Sequence, residues 1–531
     1  MYLDGRTLPR GTALQTDLCV IGTGAAGITL ALELAGASFS IIMLESGGFD
    51  PEADTQALAK GEIVGLPTFP LDVSRLRQFG GTTGHWGGFC RAFDAIDFQE
   101  REWVPHSGWP ITLADVQPYY DHAQELCQVG PPDYEPSQWD LKQTPPLPLP
   151  GGDVRTRLIQ FSPPTRFGVR YRDTVVKAPN ITLYLHSNVV RIVPSASGKE
   201  VKQLDVATLS GSDFTVHARV IVLAAGGIEN PRLLLASNQV MPKGVGNDND
   251  LVGRFFGDHI NLDTAGIIAL SDKYSFDLYQ RDQRMKPPRK PLRPGGRMAP
   301  VMGLLDLSEQ AQRAEKTLNY SAEVQTTDFS AHFLHDERFN EVYKNEGADS
   351  RFTQIKESIT TLYENLGDAI ATAFHTKEVS HGLYELMSVQ EQAPNPESRV
   401  TLSPNKDRLG VPMVRLDWRL SDLDRHTVKV ATRLIAQSMG TASIGRMRVA
   451  MNLDAQAWPR YMQSSWHPCG TTRMHADPRQ GVVDADCRVH GMANLYIAGS
   501  SVFTTISSSN PTLTIVALCA RLARHLRQEL A

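Results

Sequence analysis

Residues 17–48 read DLCVIGTGAAGITLALELAGASFSIIMLESGG, and the fold turns on how this stretch is parsed. Asp17–Ile21 is a short apolar run that predicts a strand. Gly22, Gly24 and Gly27 follow as G-x-G-x-x-G, then an apolar helical stretch runs to about Leu34. A second apolar run, Ile41–Leu44, ends in Glu45. Strand, glycine turn, helix and strand together form a dinucleotide-binding unit. The first glycine makes the turn, the second admits a pyrophosphate, and the third lets helix and strand pack closely. The helix amino terminus offers unpaired N–H groups and a positive dipole to phosphates. Glu45 stands where a carboxylate accepts hydrogen bonds from ribose hydroxyls. The unit does not distinguish NAD from FAD.

The rest of the chain bears on that choice. Val220–Ala224 is an apolar strand leading into AGG and a helix from about Glu229. Near the far end, Asn494–Phe503 (NLYIAGSSVF) is another buried strand ending in glycine. After it comes SSSNPTLTIVALCARLARHLRQEL, where Pro511 suits the first turn of a long helix. That helix aims its positive end at whatever lies beyond the strands. A flavin, whose N1–C2=O edge becomes anionic on reduction, is suited to the place.

Bulk composition excludes several classes. The chain has 531 residues, 41% hydrophobic and 21% charged, which is enough for two or more domains. A formal charge of −5 gives no reason to expect nucleic acid as a partner. No apolar run reaches membrane-spanning length. The first residues, MYLDGRTLPRGTALQTD, lack the apolar region of a secretory signal, so a cytoplasmic location is expected unless a signal-bearing partner carries the chain out. Six cysteines are scattered singly, without C-x-x-C, and no H-E-x-x-H occurs; a zinc or other metal site is not expected.

Five further stretches complete the pattern: RQFGGTTGHWGG (77–88), AAGGIENPRLLLAS (224–237), PNPESRVTLSPNKDRLGVP (394–412), HPCGTTRM (467–474) and NLYIAGSSVFTTISSSNPTLTIVALCARLARHL (494–526). In this order and spacing the chain resembles the glucose–methanol–choline (GMC) oxidoreductase family, in its bacterial sugar- and alcohol-oxidising branch. The resemblance implies an α/β fold: a discontinuous Rossmann-like FAD-binding domain plus a substrate domain with an antiparallel β-sheet and covering helices. The motifs place the FAD domain at residues 1–95, 180–260 and 441–531, and the substrate domain with its insertions at 96–179 and 261–440. FAD is the implied cofactor. Gly80, Gly81, Thr82, Trp86, Gly87, Val189, Gly499, Ser500, Asn510, Pro511 and Thr512 are implied to lie along it, with Gly22, Gly24, Gly27 and Glu45. His85 matches a histidine that in some members bonds the flavin 8α-methyl carbon. It either forms that bond here, or packs against the dimethylbenzene edge or hydrogen-bonds a loop carbonyl.

Oxidising an alcohol removes a proton from oxygen and a hydride from carbon. Imidazole is a natural base for the first step. By the family motif that base is His467, and Asn510 holds the substrate oxygen. His475, His490 and Cys469 read as packing or surface residues, and His259 as a buried histidine tied to Asp258. The implied activity is removal of a hydride from the CH–OH group of an alcohol, a sugar or glycoside before a non-sugar alcohol. Oxygen, a quinone or a partner redox protein would accept the electrons. A flavin-containing lyase on the same fold is the alternative. Between the motifs, 130–152 with its seven prolines reads as an extended excursion, 281–297 as a basic loop, and 336–374 as helical.

Overall fold

A computed structural model describes residues 1–326, 383–449, 458–459 and 462–531. The helix expected over 336–374 lies outside the described residues. Among the described residues the first sheet has eight strands. Tyr2–Asp4, Ile181–Leu185, Ile41–Leu44, Thr12–Ile21 and Asp213–Leu223 run parallel in that spatial order. Beyond Asp213–Leu223 the sheet divides. The start of that strand pairs with Val201–Ala207 of an antiparallel meander, while Ile221–Leu223 pairs with Leu495–Ile497. The fingerprint strand thus begins at Thr12, earlier than its apolar run, because Phe214–Ala218 supplies a partner for its polar first half.

Helix Ala25–Leu34 follows the glycine turn and buries seven of its ten residues. Gly27 makes that packing possible. A Cβ there would sit 2.0 Å from the carbonyl oxygen of Gly22. The helix near Glu229 starts three residues earlier than expected, at Gly226, and carries Pro231 inside it. Helix Thr512–Glu529, preceded by Pro511, packs on Ala25–Leu34 and on Leu113–Leu126. This arrangement puts two helix amino termini at the same edge of the parallel sheet.

The second sheet, with eight strands among the described residues, is antiparallel throughout their pairs. Its spine is Ile260–Leu270, Leu383–Gln390, Tyr320–Thr326, Val301–Leu307 and Val154–Phe161. Gly445–Val449 and Met462–Ser464, grouped with the FAD segments in the sequence reading, instead continue this sheet along Ile260–Leu270. An eleven-residue strand offers one edge long enough for both. Helix Asp422–Thr441 covers the sheet and buries an apolar face that includes Val428, Ala431, Ile435 and Met439. The proline-rich excursion is anchored at Leu147, whose N–H donates to the Tyr279 hydroxyl at 2.9 Å. The basic loop is tethered as well: Arg293 pairs with Asp133, Arg289 donates to Gln283 and Thr144, and Arg281 pairs with Glu323. All six cysteines are free and buried. Among the described residues no helix is long and apolar enough to cross a membrane.

Candidate active site

A cavity of about 480 Å³ opens between the two sheets. Its walls come from places far apart in the chain. Gly22 and Gly24 form one side with Glu45; Gly81, Thr82, His85, Trp86 and Gly87 form another. Val189, Gly499, Ser500, Asn510, Pro511, Thr512 and His467 close it. Gly27 and Gly80 stand behind the wall. Gly80 N–H donates to Thr23 O at 3.0 Å, tying the two glycine segments together. Gly81 lies against Gly24, where a Cβ would fall 2.9 Å from Gly24 Cα. Its φ of +52° also disfavours a side chain.

Glu45 is buried and its carboxylate is already engaged. Oε2 accepts from the N–H and hydroxyl of Thr23 at 3.1 and 2.5 Å, and Oε1 accepts from Gly47 N–H at 3.0 Å. It holds the glycine turn in register with the end of the second strand. The helix Ala25–Leu34 has no side-chain cap at Gly24, so its first N–H groups face the cavity. Beside it an ion cluster lines the wall. Glu229 accepts from Arg75 at 2.6 Å and Arg77 at 2.8 Å, and Arg232 bridges Glu229 and Asp407. The three guanidiniums hold the Glu229 carboxyl well below the usual carboxylate range despite its burial. The motifs containing Glu229, Arg232 and Asp407 were visible in the sequence, but their mutual pairing was not.

His85 has a buried Nε2 with no hydrogen-bond partner among the described residues. Burial, and then the charge of Arg166, holds its pKa below the ordinary value. Its ring packs at 5.2 Å on Trp466, whose Nε1 is likewise buried and unpartnered. His467 Nε2 lies 3.4 Å from Asn510 Nδ2, and its Nδ1 lies 2.8 Å from Nδ1 of His259. His259 is buried as expected, but its ring meets His467 and not Asp258. Asp258 Oδ1 instead accepts the backbone N–H groups of Ser465 and His467, at 3.1 and 3.0 Å. Burial pushes the Asp258 carboxyl up to about 7, against the pull of those N–H groups. The His467 pKa falls well below 6.5, through burial first and then His259. His475 and His490 are occupied elsewhere: His475 Nδ1 accepts from Asp477 N–H, and His490 Nε2 donates to His475 O.

Two open helix ends, a glycine-lined floor and unpartnered ring nitrogens fit FAD. A dinucleotide-binding unit sharing one cavity with an imidazole and a carboxamide defines an FAD-dependent oxidoreductase. The family model "FAD dependent oxidoreductase" matches residues 17–245, and the model "GMC oxidoreductase" matches 394–519. The chain is 27% identical to 6'''-hydroxyparomomycin C oxidase of Streptomyces lividus, over 99% of this chain and 94% of that one. It is 25% identical to 2-methyl-1,2-propanediol dehydrogenase of Mycolicibacterium austroafricanum, over 96% and 95%. The solved structure of pyridoxine 4-oxidase from Mesorbium loti superposes with a TM-score of 0.58 at 18% identity, covering 96% of this chain and 99% of that one. Residues 394–519 thus form a GMC oxidoreductase domain and residues 17–245 an FAD-dependent oxidoreductase domain, and the chain is an FAD-dependent oxidoreductase acting on CH–OH groups.

Proposed function

We propose that the chain oxidises an alcohol carbon of a sugar or glycoside, with His467 as the base and Asn510 holding the substrate oxygen. The observation that carries this reading is the approach of His467 Nε2 and Asn510 Nδ2 to 3.4 Å on the wall shared with the glycine fingerprint. An alcohol oxygen seated beside the pair, within reach of both, meets an acceptor for its proton and a donor for the charge it develops. Bound FAD supplies the two-electron acceptor for the hydride. Gly22, Gly24, Gly81, Thr82, Trp86, Gly87, Val189, Gly499, Ser500, Pro511 and Thr512 would hold it from the cavity wall, with Glu45 beside the glycine turn and Gly27 and Gly80 supporting from behind. His85 Nε2, buried and unpartnered, is the atom we assign to the bond with the 8α-methyl carbon.

A second cavity of about 260 Å³ supports a polyhydroxylated substrate. It shares Ser465 and Trp466 with the first and is lined by Asn261, Asp263, Arg281, Glu323, Ser388 and Gln463. Asn261 Oδ1 and Ser388 Oγ are buried there without hydrogen-bond partners among the described residues. Such a mixture of donors and acceptors suits hydroxyl groups, which act as both. The 6'''-hydroxyparomomycin C oxidase among the relatives points the same way. The test is a panel of sugars, glycosides and simple alcohols mixed anaerobically with the holoenzyme. Bleaching by a sugar or glycoside supports the reading, and bleaching by none overturns oxidation in favour of a lyase. Admitting oxygen, a quinone or a redox protein to the bleached enzyme then identifies the electron acceptor.

A further inference from the structure

We infer that His259 is a positioning residue that fixes the tautomer of His467, leaving Nε2 of His467 unprotonated toward the cavity. The inference rests on the reading of His467 as the base. His259 is wholly buried, and its Nε2 lies 2.9 Å from Ser507 O and 3.2 Å from Ile506 O. Carbonyl oxygens only accept, so Nε2 of His259 carries a hydrogen. A neutral imidazole has one N–H, which makes its Nδ1 an acceptor. Nδ1 of His467, 2.8 Å away, therefore donates. The lone pair of His467 is left on Nε2, and the neighbour there is the amide donor of Asn510. The reverse assignment would set a lone pair of His259 against two carbonyl oxygens. One proton arrangement satisfies every contact.

The two rings cross at 81° with centroids 4.9 Å apart, so the contact runs nitrogen to nitrogen and not face to face. Adjacent Asp258 grips the backbone N–H of His467. One dipeptide thus sets both the backbone and the ring of His467. When Nε2 takes a proton, Nδ1–H still donates to His259, and that bond becomes charge-assisted. Other charges reach His259 in paired form: Glu391 is held by Arg101, and Arg91 by Asp306. A neutral imidazole anchored by main-chain carbonyls here does the orienting that a carboxylate does in serine proteases, where the wrong tautomer lowers kcat by about 10⁴-fold.

The test compares holoenzyme carrying His259→Leu or His259→Gln with the parent. Flavin content, the anaerobic reduction rate, its solvent deuterium effect and the ring ¹⁵N shifts of His467 in ¹⁵N-histidine protein are measured. The parent should show a protonated Nδ1 and a bare Nε2 on His467. Leucine removes the acceptor, so reduction should slow at least about tenfold and the solvent effect should rise as proton transfer becomes harder. Glutamine again offers one acceptor and one donor and should restore the rate to within a few-fold. A bare Nδ1 on His467 in the parent overturns the inference, whether or not the variants fold. So do equal losses in both variants at full flavin content, or no loss in His259→Leu. If His467→Ala reduces at the parental rate, the base reading fails instead, and the ¹⁵N shifts still decide the tautomer.

Discussion

His85 and Trp466, 381 positions apart in sequence, pack ring on ring at 5.2 Å, and each leaves a buried ring nitrogen without a partner on the described residues. Unpartnered buried donors and acceptors are costly, so two together mark a place a ligand completes. If His85 bonds the cofactor, acid-precipitated protein keeps its yellow colour. The His85→Ala variant releases it to the supernatant. Full release from the parent enzyme would contradict the bond.

Replacing His467 by Ala removes the proposed base while leaving the glycine-lined floor intact. Anaerobic flavin reduction should slow by about 10²-fold or more, with flavin content unchanged. Asn510→Ala should slow it less, through loss of one donor to the developing alkoxide. A His467→Ala enzyme that bleaches at the parental rate would place the base elsewhere.

The pH dependence follows from the same imidazole. His467 acts as a base only with Nε2 unprotonated, so the reduction rate rises with pH through its pKa. Burial, and then His259, hold that pKa well below 6.5. The limiting reduction rate should therefore stay flat from neutrality down past pH 6.5 and fall only in more acid solution. An ascending limb centred at or above 6.5 would show an imidazole that the cavity does not desolvate.

Glu229→Gln leaves Arg75, Arg77 and Arg232 facing one another with only Asp407 to answer them. Breaking a buried ion cluster from one side costs about 3 kcal/mol or more. Denaturant titration should show that loss at neutral pH. The parental cluster contributes stability above the ordinary glutamate pKa and loses it as pH falls through the depressed one, so the two proteins should converge in strong acid.

Gly27→Ala forces a methyl group to within 2.0 Å of a backbone oxygen. Helix Ala25–Leu34 must then lift from its strand, and flavin content on purification should fall sharply. Parental flavin content in this variant would show that the helix has room the packing denies it.

Local patterns carried much of this protein. The glycine fingerprint, the strand ending in Glu45 and the helix after Pro511 are short-range features, since turn, helix start and burial are decided within a few residues. The order of the motifs carried the cofactor and the reaction class. Pairings across the chain were not legible. The polar first half of Thr12–Ile21 is a strand only because Phe214–Ala218 lies beside it, and Gly445–Val449 and Met462–Ser464 found the edge of Ile260–Leu270. His259 is the sharpest case. Its sequence neighbour Asp258 suggested a local partner, whereas its ring reaches His467, 208 positions away, and the carbonyls of Ile506 and Ser507. Residue types and spacing determined that an imidazole and a carboxamide would be available. Which nitrogen carries the proton was decided only by folding, because hydrogen-bond direction depends on what surrounds both ends of each ring.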